Sequence, residues 1–484
     1  MDDFSKALLE AVPAYARRVL VVGTDLVAHR QLWELRNPRS VIETVCGPWS
    51  QPIAAEKAPK AEAAVVRLAG LGSDVVAAVT RIANCLAPGG TLALSGVIGV
   101  GDPFINEMTT LLQERGFTLE RWCNGGVGEQ IARFHFTERA WPRININGDP
   151  FIVDNRPLNK SVVRVRLEEP FEQLTSIPGV RASVGPPNEL PALPDDTGAK
   201  IHIIQRKFFA DPDGLVRMGS NANFVMVLEL DDRHVETESV PLPLYQKNLS
   251  CFHAVQTASP VLAEEIRPFN SEVGVFPNHL ARIRPLPPRT SGPTVRILFA
   301  GQNRQAGWGE IIQAYREVVS RYHERVTTVA VGDREFSQAL APLRSLSRPT
   351  LSYPDYVAEL DQADIALLPL ADNPFDRSKS DLKFIECAEA GAVVLASHVV
   401  YGKTVAPGKT GFVYRNADEF KRHLSTLILE TSTRAKMARQ AHRYVTENRA
   451  LANQVRERHD WYCSLVRRRD ELEEARRRRV AHLG

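Results

Sequence analysis

Lys379, Lys383 and Glu386 stand at i, i+4 and i+7 within residues 369–391. On a helix that spacing lines them up on one face. Ser378 and Asp381 have the spacing of a capping box, which predicts a helix starting near Lys379. A helix start presents free N–H groups and the positive end of a dipole, an arrangement suited to a diphosphate. The two ammonium groups would neutralise phosphate oxygens. The Glu386 carboxylate would accept hydrogen bonds from both hydroxyls of a ribose. Leu382 and Ile385 fall on another face and would pack on a sheet. Arg377 and Ser378, at the head of the segment, join the anion-binding candidates. The competing reading is a solvated face held by i,i+4 pairs. Gly391 and the apolar run AVVLAS directly after it weigh against that. A second candidate is GQNRQAGWGE, residues 301–310. Gly301, Gly307 and Gly309 would let backbone approach a phosphate, and Arg304 supplies charge. An ordinary glycine-rich turn has the same composition.

Carboxylates gather again in NFVMVLELDDRH, where Glu229, Asp231 and Asp232 fall at or just past a strand end. There they could orient a hydroxyl or act as a base, which must lie within hydrogen-bond reach of it. Capping of the next element is the equal alternative. Gln205 and Arg206 end another strand, and an ordinary surface arginine is the simpler reading of Arg206. His253 lies near the start of a helix. A lone histidine is more often structural than catalytic, and it is carried here as a catalytic candidate alongside the three carboxylates.

The elements that must hold these residues fall into four blocks of the 484-residue chain. Residues 1–143 alternate strands (19–23, 63–68, 86–96, 117–122) with helices (74–86, 106–115), the pattern of a parallel sheet. Residues 148–290 hold expected strands at 161–166, 200–205 and 223–230. A short helix is expected at 171–176 and a Pro- and Gly-rich loop at 178–198. Pro and Gly crowd again in residues 285–293, which read as an interdomain hinge. Residues 291–432 run strand, helix, strand, a further strand at 350–353, then helix and strand alternately, a doubly wound domain. Residues 433–484 read mostly as helix. Such sheets bind ligands at the carboxyl ends of their strands, where the candidates above fall.

Composition bounds the rest. Hydrophobic residues are 44% and charged residues 24%, so each block can bury an ordinary core. A formal net charge of +3 gives no argument for nucleic acid as a partner. The six cysteines form no CxxC pair, so no metal site or disulfide framework is expected and a reducing cytosol is the natural compartment. The first residues lack the apolar core of a signal peptide, and no apolar run approaches a membrane span.

The stretch from Asp361 to Phe420 resembles the donor-binding domain of GT-B glycosyltransferases, family 4. The resemblance rests on Pro369, Lys379, Glu386, Gly391, the strand 393–397, and Thr410 with Gly411. It covers residues 295–430, and more weakly 253–280, where residues 256–262 and the turn 275–278 resemble the end of the acceptor domain. It implies a GT-B fold of two Rossmann-like domains and a sugar transferred from a nucleotide-diphosphate sugar. The acceptor would be a glycan, a lipid-linked glycan or a protein. It further implies a retaining reaction without a metal or cofactor, since cations and a helix dipole can stabilise the leaving diphosphate. Gly301, Arg304, Arg377, Ser378, Lys379, Lys383 and Glu386 would bind the donor. Many members have two glutamates with seven residues between them. The second aligns with Glu386 and the first with Ser378, which is not acidic, a departure that bears on the donor sugar and the stereochemistry.

In the first block VLVVGTDLVAH and LAPGGTLALSG resemble a class I methyltransferase. That family's cofactor loop needs several glycines, and only Gly23 remains. The expectation is a degenerate module that does not bind S-adenosylmethionine, with Asp25 as a helix N-cap. In the tail, Arg467–Arg469 and 476–479 alternate with acids, the pattern of a solvated helix face. An anionic membrane surface at the cytoplasmic face is the alternative partner. Competing with a transferase are a methyltransferase–glycosyltransferase fusion and a non-catalytic glycan-binding scaffold.

Overall fold

The computed structural model describes residues 1–482 except 24, 47, 48, 50–52, 70, 72, 73, 99–101, 127, 137–142, 151, 154, 155, 158, 159, 186–198, 213, 215–223, 236–239 and 289–293; at 56, 152, 153, 156, 157 and 160 it describes backbone alone. The chain is α/β and divides into two compact units. One comprises Met1–Glu229, Gln246–Val255 and Leu451–Gly484, the other Leu230–Tyr245 and Gln256–Ala450. This division differs from four successive blocks. The first block and most of the second, up to Glu229, share a unit, whereas residues 230–245 and 256–288 go with the donor block. The segment expected as a hinge is therefore flanked on both sides by one unit, and its residues 289–293 lie outside the described ones.

The first unit begins with a sheet of β1 (Arg18–Val22), β2 (Val41–Thr44), β3 (Ala61–Arg67), β4 (Leu86–Gly96), β5 (Phe117–Asn124) and β6 (Gln130–Phe136). Their order is β2-β1-β3-β4-β6-β5, parallel except for β6, which runs antiparallel to both neighbours. Strands β2 and β6 were not foreseen. Side chains alternate between two cores: Val19 and Val21 enter one, Leu20 and Val22 the other. Both faces are therefore covered, which is why these strands read as unbroken apolar runs. The helices Val75–Asn84 and Pro103–Gln113 pack on one face, and Asp3–Ala11 and Arg30–Arg36 on the other.

A second sheet in this unit uses β7 (Ile144–Asp149), β10 (Val180–Val184), β11 (Ala199–Gln205) and β12 (Phe224–Leu230), ordered β10-β7-β11-β12 and parallel. A two-stranded ribbon, β8 (Ile152–Val153) with β9 (Arg156–Pro157), stands apart from it. β13 (Ala254–Thr257) follows, and the boundary between units falls within it. The expected strand at 161–166 is helical. Lys160–Val163 continues through a π-type turn, Arg164–Glu168, into Glu169–Leu174. Val163, Leu167, Phe171 and Leu174 enter the hydrophobic core, a helical spacing and not an alternation. The expected loop at 178–198 contains β10, and its residues 186–198 lie outside the described ones.

The second unit contains β14 (Val273–Val275) and a six-stranded parallel sheet. Its strands are β15 (Val295–Ala300), β16 (Val326–Val331), β17 (Ser345–Arg348), β18 (Ile365–Leu368), β19 (Val393–Ser397) and β20 (Gly411–Tyr414), in the order β17-β16-β15-β18-β19-β20. Ile297 and Phe299 enter one core and Leu298 the other, so this sheet too is covered on both faces. The strand expected at 350–353 sits earlier, at β17. Ser352 instead caps the helix Tyr353–Gln362, its Oγ accepting from Asp355 N with a proline in the first turn.

Candidate functional site

The order of the second unit's sheet reverses between β15 and β18, so its ligand crevice lies beyond the carboxyl ends of those two strands. Residues 301–304 follow β15 and residues 369–381 follow β18, so the two sequence candidates meet at this point. Arg304 bridges them: its guanidinium reaches Asp376 at 3.2 Å. Asp376 is held in turn, with Oδ2 accepting from Ala371 N at 3.0 Å and its own N–H donating to Asn373. Asn303 adopts the left-handed region with φ 53°. The glycines divide the work. A Cβ at Gly307 would stand 3.0 Å from the backbone of Pro369 and Leu370, so this glycine serves packing between the loops and not phosphate approach. A Cβ at Gly309 would meet open space.

The helix after β18 starts later than the capping box implied. A short helix, Pro374–Arg377, comes first, and the longer one spans Leu382–Ala390. Ser378 is fully buried and its Oγ donates to Phe375 O at 2.7 Å. It therefore closes the short helix with its hydroxyl buried in its own turn, and not on an open face as its place among the donor-binding residues implied. Asp381 occupies the N-cap position yet makes no side-chain cap bond. Both its oxygens take the Arg449 guanidinium instead, at 2.6 and 2.8 Å, and Arg449 also donates to Asn278 O at 2.6 Å. Asn278 donates to Ser380 Oγ at 2.8 Å. The turn ahead of the helix is thus pinned by Arg449, which the sequence reading did not single out, and by Asn278 at the end of the turn 275–278. Arg377 is exposed and pairs with Asp372 at 2.5 Å.

Lys379 consequently lies in the turn and not on the helical face of Lys383 and Glu386. Its side chain is almost buried, with Nζ 3.1 Å from Asp232 Oδ1 and 3.8 Å from the centre of the Phe375 ring. Burial pushes its pKa down, and the Arg304 charge adds to that, against the pull of Asp232. Lys383 and Glu386 do share a face, and both meet Tyr356. The Tyr356 hydroxyl donates to Glu386 Oε2 at 3.2 Å, and Lys383 Nζ lies 4.8 Å from the ring centre. Burial, then the neighbouring carboxylate, holds the Tyr356 phenol protonated well above its usual range. Glu386 is buried as well. The result is a row of groups: Arg304 and Lys379 near the strand ends, then Glu386 with Tyr356 one to two turns along.

Two of the carboxylate and histidine candidates are corrected. Glu229 is fully buried and paired with Arg166 at 2.7 Å, so it belongs to the core and not to a hydroxyl acceptor. No local signal announces this pair, because its partner Arg166 stands 63 positions earlier, in the segment read as a strand. His253 is also fully buried. Its Nδ1 accepts from Met226 N at 2.9 Å, so the ring proton lies on Nε2, which donates to Glu473 at 3.1 Å. Burial first, then the Arg476 charge, lowers its pKa to about 4. It is a neutral structural tie. Asp231 lies 3.8 Å from His234, and Asp232 turns to Lys379 as described. Arg206 follows β11 in the left-handed region, φ 53°, with its N–H donating to Glu229 O.

In the first unit the sheet order reverses between β1 and β3. Asp25 and Arg67 form an ion pair of 2.9 Å across that point. Arg67 also donates to Glu129 Oε1 at 2.7 Å and to Ser95 Oγ at 3.1 Å. A Cβ at Gly23, φ 124°, would come within 2.6 Å of Arg67 Cβ, so glycine here admits the arginine. Asp25 is thus an ion-pair partner of Arg67 and the first residue of the 3-10 turn Asp25–His29, where an N-cap was expected. In the tail, Arg476 is fully buried against Glu473, and Arg479 donates to Phe252 O at 2.8 Å. Arg477 and Arg478 pair with Glu473 and Glu474. Much of the tail's charge is spent within the protein. Among the described residues no helix is long and apolar enough to cross a membrane, and no group of three or more His, Cys, Asp and Glu is placed to hold a metal ion.

Comparison with solved structures finds distant likenesses. A glycosyltransferase from Rickettsia africae has 14% identity over 67% of this chain and 99% of its own, with a TM-score of 0.47. HepE from Anabaena, solved with UDP and glucose, has 14% identity over 67% of this chain and 100% of its own, with a TM-score of 0.45. TarM from S. aureus has 12% identity over 54% of each chain, with a TM-score of 0.42; this chain spans about half the length of the TarM structures. No curated protein matches the sequence. Residues 291–460, the segment that carries Arg304, Lys379, Lys383 and Glu386, are similar to the family whose model is described as "Glycosyl transferase-like".

Proposed function

We propose that the chain is a GT-B glycosyltransferase that moves a sugar from a nucleotide-diphosphate sugar to a glycan, lipid-linked glycan or protein acceptor. The observation that carries this is the placement of Arg304 and Lys379 beyond the carboxyl ends of β15 and β18, inside the segment matching the glycosyl transferase-like family. Two cations beside a switch point suit a diphosphate. Fixed beforehand, they stabilise the charge that develops on the leaving diphosphate, which is electrostatic catalysis needing no metal in this reading. Glu386, one to two turns along, would take the ribose hydroxyls, oriented by Tyr356. Retention of configuration goes with the family 4 resemblance and is part of the proposal.

A second reading, a non-catalytic donor-binding scaffold, is favoured by one observation. Ser378 stands where many relatives have an acid, and its hydroxyl is buried in its own turn. The first block is read as a methyltransferase-like module whose crevice is spanned by the Asp25–Arg67 ion pair. Calorimetric titration with uridine, guanosine and thymidine diphosphates, followed by turnover of the matching donor, separates these. Binding of one diphosphate with transfer or hydrolysis of its sugar is the expected result. Binding without turnover would favour the scaffold. Binding of none by the folded protein would overturn the donor-site reading.

A further inference from the structure

Lys379 is nearly buried, and a buried ammonium needs a counter-charge. Two anions are available to the cations of the crevice. Asp376 belongs to the loop after β18, is fixed by two backbone N–H contacts, and holds Arg304 in place. Asp232 comes from a segment 147 positions earlier in the chain and keeps about a quarter of its side-chain surface exposed. The two carboxylates therefore differ in kind. One is built into the loop that carries the site, and the other reaches the site from outside that loop.

We propose that Asp232 is the resident anion of the donor site, occupying Lys379 until a diphosphate displaces it and reclaiming Lys379 when the diphosphate leaves. This rests on the donor-site reading above. Its physical basis is competition. The N–H that Lys379 gives to Asp232 is not available to a phosphate oxygen, and two anions crowded on one ammonium repel each other, so the Asp232 pair lowers diphosphate affinity. The pair protects the empty enzyme from an uncompensated buried charge. It also weakens the hold on the product, which favours release after transfer. Asp232 is in this account a positioning residue acting through Lys379, and not the base that activates an acceptor hydroxyl.

The test measures affinity for whichever nucleoside diphosphate binds the unaltered protein, with circular dichroism as the folding control. Asp232→Asn keeps the shape and removes the charge. It should tighten diphosphate binding by roughly tenfold or more, because an unpaired buried ammonium gains most from a new anion. Turnover should become limited by release, with stronger inhibition by added diphosphate. In a Lys379→Ala background, which itself weakens binding, Asp232→Asn should have no further effect, because the two residues act as one pair. Asp232→Ser serves as the second variant if the asparagine form fails to fold. Unchanged or weaker affinity in a folded Asp232 variant would overturn the proposal. So would tightening that persists without Lys379, which would mark a diffuse charge effect. Loss of turnover with unchanged affinity would return Asp232 to the acceptor base. If the unaltered protein binds no nucleoside diphosphate, the donor-site reading itself falls, an outcome distinct from each of these.

Discussion

Replacing Glu386 by glutamine isolates the carboxylate's charge from its structural bond. Glu386 is 6% exposed and accepts the Tyr356 hydroxyl at 3.2 Å. Alanine would confound two effects, because it leaves the hydroxyl without that acceptor, at about 1–3 kcal/mol of stability. Glutamine is isosteric, and its amide oxygen can still accept from Tyr356, so thermal stability should change little. What it loses is the charge of the acceptor offered to a ribose hydroxyl. A hydrogen bond to a charged group contributes roughly 1.5–3 kcal/mol, against about 1 kcal/mol for a neutral one. The difference, about 0.5–2 kcal/mol, predicts nucleoside diphosphate binding weaker by roughly twofold to thirtyfold, at 1.4 kcal/mol per tenfold. Tyr356→Phe should weaken binding less, since the carboxylate itself remains. Calorimetric affinity for the diphosphate, with melting temperature as the control, decides the matter. If Glu386→Gln binds and turns over as the unaltered protein does, Glu386 serves only Tyr356 and the ribose assignment fails.

Two further outcomes follow from the first unit. S-adenosylmethionine should not bind it, because the loop after β1 keeps only Gly23 and an Arg67–Asp25 ion pair spans the point where the sheet order reverses; micromolar binding by calorimetry would refute this. Stability should fall on acidification because of His253. Its pKa in the folded protein, about 4, is below the ordinary 6.5, so between those values the unfolded chain binds the proton more tightly. The contribution is whole above pH 6.5 and is lost as pH falls towards 4, by up to roughly 3 kcal/mol. Urea denaturation across that range checks it. Replacing His253 by glutamine should flatten the slope, and an unaltered slope would show that other groups carry it.

The doubly wound domain was legible because its signal is local. Runs such as VRILFA and AVVLAS are buried on both faces of a parallel sheet, and each announces that by its own composition. The loops after β15 and β18 were singled out on local signals too, the glycines with Arg304 in one and the spacing of Lys379, Lys383 and Glu386 in the other. Even there, the helix start was misplaced. Ser378 and Asp381 have capping-box spacing, but one is drawn into the preceding turn and the other to Arg449. Residues 161–166 show the same limit, since a short apolar alternation does not distinguish a strand from a helix whose burial is set elsewhere.

What a charged residue does was decided only by the tertiary structure. Asp381 and Arg449 are 68 positions apart, Arg166 and Glu229 63, and Lys379 and Asp232 147. Nothing in the neighbourhood of any one of them names its partner. Glu229 at a strand end and Asp232 three residues later look alike as sequence, yet one is neutralised in a core and the other faces a lysine in the candidate donor site. Apolar burial is a collective property that a run of residues carries with it, whereas an ion pair is a specific encounter made when distant segments fold together. The sequence therefore determined the sheets and the strand ends where a site could form, and the folded chain determined which side chains reach it.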